Sequence, residues 1–244
     1  PEFSTQGGGI YDPCAPFSRL GITKAQFKYL PDGVRGFHIH TLCEQGAEDL
    51  AETLKAFEKN FGGYFKKLEW LNLGGGHHIT RDGYDIKLLE SEITRLSDKY
   101  GLQIYLEPGE AVALNAGYLH TKVLEIVKNG MDIAILDASA ECHMPDVLEM
   151  PYRPPLKDSG KPDEKKYLYR LSSRTCLAGD IIGDYSFDKL LNEGDILSFE
   201  DMAIYSMVKN NTFNGMPLPA IAAKRGENYE ILKTFGYSDF KNRL

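Results

Sequence analysis

The chain has 244 residues, 42% hydrophobic and 26% charged, a globular balance that excludes extended disorder and allows one large core or two smaller ones. A net charge of -7 excludes a nucleic-acid or anionic-membrane partner, because binding phosphates needs a clustered basic surface. There is no apolar run near the ~20 residues that span a bilayer and no basic-then-apolar leader, so a cytoplasmic protein with no membrane partner is expected.

From residue 34 short apolar strands alternate with amphipathic helices. Val34–His40 reads as a strand, and Leu50, Leu54, Phe57 and Phe61 then recur at helical spacing. Leu68–Leu73 is the next strand, followed by Gly74-Gly75-Gly76 and a helix marked by Ile86, Leu89, Ile93, Leu96 and Tyr100. Leu102–Leu106 is a third strand, ended by Glu107-Pro108-Gly109. Such repeats suggest a parallel sheet or a (β/α)8 barrel, whose chemistry sits at the strand C-termini.

After about residue 116 the period changes. Tyr118–Val127, Asn129-Gly130 and Asp132–Leu136 read as a hairpin, since Asn-Gly readily takes the positive φ values of a type I′ turn. Lys166–Ser172 and Asp195–Val208 are strand-like, and Lys157–Lys166 reads as an exposed loop. The expectation is α/β plus β: residues 1–116 in the first domain and 117–244 in a mainly β domain.

Five clusters carry residues suited to chemistry. In His38-Ile39-His40-Thr41-Leu42-Cys43-Glu44, strand alternation puts both histidines on one face and His40 at the strand's end. Satisfied or exposed histidines are the bland alternative; a metal set of His40, Cys43, His77 and His78 matches no zinc spacing, and no metal is expected. Asn72-Leu73-Gly74-Gly75-Gly76 follows a strand, and three glycines let backbone amides surround an anion. Glu107-Pro108-Gly109-Glu110 puts a carboxylate at a strand's end, before a residue that cannot continue the ladder. Thr175-Cys176-Leu177-Ala178-Gly179-Asp180 sets a thiol and a carboxylate on a turn, and Ala203-Ile204-Tyr205-Ser206 offers a strand tyrosine. Cys14, Cys43, Cys142 and Cys176 lack paired spacing and are expected to be reduced thiols.

In this order the five clusters resemble the ornithine and diaminopimelate decarboxylase family of alanine-racemase-like pyridoxal-phosphate enzymes. The resemblance implies the C-terminal portion of a cofactor-binding (β/α)8 barrel followed by a β domain, with pyridoxal 5′-phosphate as cofactor. It implies that His40 stacks on the cofactor ring and that Gly74, Gly75, Gly76 and Gly109 contact the phosphate. Glu107 would pair with the pyridine nitrogen and Tyr205 would reach the phosphate. Cys176 would enter a partner's active site across a homodimer interface, with Asp180 near it as a substrate contact, and return a proton to Cα.

Two departures bear on the substrate. Many relatives have arginine at the position of Glu110, and Cys43 stands where a phosphate-binding serine is common. With the stretch His143–Tyr152, this wording resembles the branch of the family acting on carboxylated polyamine precursors, whose ammonium groups Glu110 and Asp146 would hold; a diaminopimelate, ornithine or arginine decarboxylase, and a non-catalytic cofactor-binding or regulatory relative, are the alternatives. The family's Schiff-base lysine lies on an early strand, and no lysine here has that setting; the chain begins at Pro1 without methionine and reads as cut mid-protein, so these residues alone are expected to be inactive.

Overall fold

A computed structural model describes residues 2–243. Contacts divide the chain into two compact units, Pro1–Leu114 and Asn115–Leu244.

In the first unit, β1 (Gly36–His38), β2 (Trp70–Asn72) and β3 (Gln103–Tyr105) form a parallel sheet in sequence order. Helix α1 (Ala47–Phe65) joins the first two strands and α2 (Ile86–Tyr100) the next two. Both follow the apolar spacing: Leu50, Leu54, Phe57, Phe61 and Phe65 of α1 are buried, as are Leu89 and Leu96 of α2. Each fully buried leucine or phenylalanine contributes about 1.5–3 kcal/mol, so this shared face holds the helices on the sheet. Asp85 caps α2, accepting from the Leu88 amide at 2.9 Å, and Gly101 ends it in a left-handed conformation at φ +74°. A short α3 (Gly109–Ala113) follows β3. The strand-helix alternation expected for residues 34–106 is present, with strands of three residues rather than five to seven.

The second unit is built on a five-stranded sheet. Strand β4 (Leu119–Asn129) forms a hairpin with β5 (Met131–Leu136). The hairpin is as expected, but of its two turn residues only Gly130 takes a positive φ, +74°, so the turn is not type I′. Beyond β5 lie α4 (Ala140–His143) and α5 (Asp146–Glu149), a crossover that lets β6 (Tyr167–Ser173) pair parallel to β5. Strands β7 (Ile181–Phe187) and β8 (Ile196–Phe199) complete the order β7-β6-β5-β4-β8. Tyr185, Leu136, Leu171, Ile182, Phe199 and Met144 fill its core. The Tyr185 hydroxyl donates to the Pro154 carbonyl at 2.7 Å, satisfying the polar end of a buried ring.

One expectation for this unit fails. The stretch 195–208 is not one strand: β8 stops at Phe199, Asp201 and Tyr205 adopt positive φ of +56° and +47°, and α6 (Ser206–Lys209) follows. Apolar residues there pack from a turn, which a strand-like composition does not reveal. The 157–166 stretch is a mostly exposed loop, as expected, pinned at Gly160, which is buried and bridges to Ser186, whose hydroxyl accepts from the Lys165 amide at 3.0 Å. The chain ends in a separate hairpin, β9 (Ile221–Arg225) and β10 (Asn228–Lys233), and α7 (Tyr237–Lys241).

Candidate functional site

The first unit gathers its polar groups just beyond the C-terminal ends of β1, β2 and β3. Asn72, the last residue of β2, donates through Nδ2 to Glu107 Oε1 at 2.7 Å and accepts the Gly74 amide at 2.9 Å. His38 Nε2 lies 3.6 Å from Glu107 Oε2. The Gly75 amide donates to His40 Nδ1 at 3.1 Å, so the neutral His40 ring carries its hydrogen on Nε2. His40, Gly74, Gly75, Gly76 and Glu107 therefore form one cluster, as their positions in the sequence predict.

The glycines are required by close approach. A Cβ at Gly74 would lie 2.4 Å from the Ile39 carbonyl oxygen, at Gly75 2.7 Å from that of Glu107, and at Gly76 2.1 Å from that of Leu42. Gly74 and Gly76 also have φ of +73° and +80°, a region where side chains are strained. The expectation that all three amides face an anion needs correction, because Gly74 and Gly75 spend theirs on Asn72 and His40. Of the three amides, that of Gly76 has no acceptor among the described residues. Gly109 opens α3 and its amide turns back to the Glu107 carbonyl at 2.8 Å.

This donor set fits pyridoxal phosphate. A carboxylate braced by Asn72 suits a protonated ring nitrogen, an exposed imidazole suits stacking on an aromatic ring, and the glycine turn admits a bulky anion. A cavity of about 710 Å³ opens beside His38 and His40, walled by Phe3, Ile10, Phe27 and Phe61. Neither Glu107 nor the glycines line it, so it adjoins the cluster without being the cofactor cradle.

Glu110 does not stand free. Its Oε1 is 3.3 Å from His78 Nε2, and its carboxyl is held above the usual range by burial and then by the charge of Glu44. The neighbouring Cys43 thiol is pushed up by burial and by the same two carboxylates. His77 is buried, donates through Nε2 to the Leu73 carbonyl at 3.2 Å, and is shifted downward by desolvation. The metal set His40, Cys43, His77 and His78 does not assemble: among the described residues, the groups whose donor atoms converge are His38, His40 and Glu107, and separately Glu44, His78 and Glu110.

The remaining candidates lie in the second unit. Cys176 is exposed and accepts from Asn214 Nδ2 at 3.0 Å. Asp180 is 1% exposed and accepts from Ser139 Oγ at 2.7 Å, the Ala140 amide at 2.7 Å and Thr175 Oγ1 at 2.6 Å. That saturation corrects its expected contact with substrate: Asp180 fixes the Cys176 turn against the start of α4. Ser139 also offers its amide to His143 Nδ1 at 3.1 Å, while His143 Nε2 donates to the Pro217 carbonyl at 3.0 Å. Burial shifts His143 downward. Asp146 is likewise engaged, by the Lys209 ammonium, which also lies 5.7 Å from the Tyr205 ring centroid. Sequence reasoning missed Asn72 as the residue that holds Glu107, although it stands inside the glycine motif.

A model of the pyridoxal-dependent decarboxylase C-terminal sheet domain matches residues 10–203. The chain is 41% identical to the carboxynorspermidine/carboxyspermidine decarboxylase of Campylobacter jejuni, covering 99% of this chain and 67% of that protein. It is 44% identical to the carboxyaminopropylagmatine decarboxylase of Synechocystis sp., covering all of this chain and 64% of that one. A crystal structure of carboxynorspermidine decarboxylase from C. jejuni, complexed with norspermidine, superposes with a TM-score of 0.88 over 94% of this chain and 66% of that one. The chain spans about two thirds of the length of these relatives.

Proposed function

The chain belongs to the pyridoxal-dependent decarboxylase family, and from that premise we propose that the protein carrying it decarboxylates carboxynorspermidine and carboxyspermidine to norspermidine and spermidine. The observation that carries the reading is the convergence of His40, the glycine turn and Asn72-braced Glu107 at the ends of three parallel strands.

When bound, pyridoxal phosphate supplies a sink for the electron pair left as the bond from Cα to the carboxylate breaks. Glu107 holds a proton at the ring nitrogen, where the charge pair deepens that sink. His40 offers its ring face, and its Nδ1 bond to Gly75 fixes the ring's orientation. Gly76, whose amide has no acceptor among the described residues, would contact the phosphate, joined by Tyr205; the Gly109 amide is taken by the Glu107 carbonyl and is assigned no such contact. Cys176 delivers a proton to Cα, reaching the site across a homodimer of cytoplasmic chains. Glu110 and Asp146 meet substrate ammonium groups only by leaving His78 and Lys209, so we assign neither a primary substrate contact.

A second reading is favoured by the 44% identity to the Synechocystis protein: carboxyaminopropylagmatine as substrate, whose distal group is a guanidinium. Purified protein supplied with pyridoxal phosphate and each carboxylated polyamine, or diaminopimelate, distinguishes these. Release of CO₂ and norspermidine or spermidine supports the first reading. Turnover of carboxyaminopropylagmatine alone would install the second, and turnover of diaminopimelate alone would sink both.

A further inference from the structure

We propose that Glu44, His78 and Glu110 form a binding site for a divalent first-row cation such as Zn²⁺ or Mn²⁺. Each residue comes from a different loop or short helix following a strand: Glu44 after β1, His78 after β2 and Glu110 in α3 after β3. One donor atom from each lies within 4.8 Å of the others. The 3.3 Å between His78 Nε2 and Glu110 Oε1 is the spacing of two tetrahedral ligands bound at about 2.0–2.1 Å.

The second observation is His78 itself. It is 6% exposed, Nδ1 has no hydrogen-bond partner among the described residues, and Nε2 has only the 3.3 Å ion-pair contact with Glu110, without an aligned hydrogen bond. Buried imidazole nitrogens are ordinarily satisfied, because leaving one unpaired costs about 1–3 kcal/mol. A cation at the centroid of the three donors gives Nε2 an aligned partner and offsets the repulsion between the half-buried Glu110 carboxylate and its neighbour Glu44. One imidazole and two carboxylates suit Zn²⁺ and Mn²⁺. The loops are already laced together, since the Gln45 amide donates to the Gly76 carbonyl at 3.0 Å and the His78 amide to that of Gln45 at 3.1 Å. Glu44 is exposed, which leaves the site open for entry and for water as a further ligand.

The test is metal uptake by the whole protein after chelator dialysis, using Zn²⁺ and Mn²⁺ alone and reading bound ion per chain and thermal melting. One ion per chain, a higher melting temperature on loading, and at least about a tenfold affinity loss in both Glu44→Gln and Glu110→Gln are expected. Glu44 is exposed, so its variant keeps the fold. His38→Asn, in the neighbouring cluster, should bind as tightly as the parent. Failure to retain either ion, equal retention by Glu44→Gln, or loss only in His38→Asn overturns the proposal. None of these outcomes depends on the decarboxylase reading.

Discussion

Asn72 and Glu107 close on each other at 2.7 Å across neighbouring strands, so the amide ending β2 sets the direction of the carboxylate that follows β3. Removing the amide leaves Glu107 half in solvent without its brace. Asn72→Ala is expected to weaken pyridoxal phosphate binding about tenfold, the worth of a hydrogen bond to a charged group. An absorbance titration of the protein with the cofactor measures it; unchanged affinity would show that Glu107 needs no positioning.

Gly76→Ala combines a positive φ with a Cβ 2.1 Å from the Leu42 carbonyl oxygen, so backbone must shift. The expected destabilisation is about 2–4 kcal/mol, with weaker cofactor binding, measured by denaturant unfolding and the same titration. Gly63→Ala, where a Cβ meets nothing within 4 Å, serves as the control.

Asp180 and Cys176 are four residues apart and should behave oppositely. Asp180→Ala leaves the Ser139 hydroxyl, the Ala140 amide and the Thr175 hydroxyl without their acceptor, a loss of about 2–4 kcal/mol. Cys176→Ser, on an exposed turn, should leave thermal unfolding within about 0.5 kcal/mol of the parent while lowering turnover. A stable Asp180→Ala protein that had lost only substrate binding would restore this carboxylate to the substrate.

Burial lowers the pKa of His77 and His143 below the ordinary 6.5, so the unfolded chain takes up protons before the folded one as pH falls. Their contribution is intact above about 6.5 and is lost as pH drops through that value toward the folded-state values. Urea unfolding at pH 5.5 should show a loss against pH 7.5 of up to about 1.4 kcal/mol for each histidine. His143→Gln should reduce the loss. An acid slope unchanged in that variant would assign it to other groups.

Helix α1 and helix α2 were legible because their apolar residues recur at the helical period and bury the same face. The glycine turn and Glu107 were legible because strand ends in a parallel sheet gather at one edge, so order along the chain implies proximity. The partners of Asp146 and Asp180 were not, since Lys209 and Ser139 are chosen by the fold of the second unit at separations no short motif records. The same holds for Glu44, His78 and Glu110, which share no spacing of helix or strand. The strand expected through Tyr205 failed because composition does not report the left-handed residues Asp201 and Tyr205.

Strand β4 has two partners of very different reach. Its link to β5 closes within a few residues at Gly130, but Leu119 pairs with Phe199, about eighty residues on. Pairings this distant restrict a long stretch of chain before any contact rewards it, and they slow folding. The sheet edge at β4 thus stays unmade during synthesis until the ribosome has released the chain beyond Phe199. The parallel sheet of the first unit, whose last strand ends at Tyr105, can register far earlier.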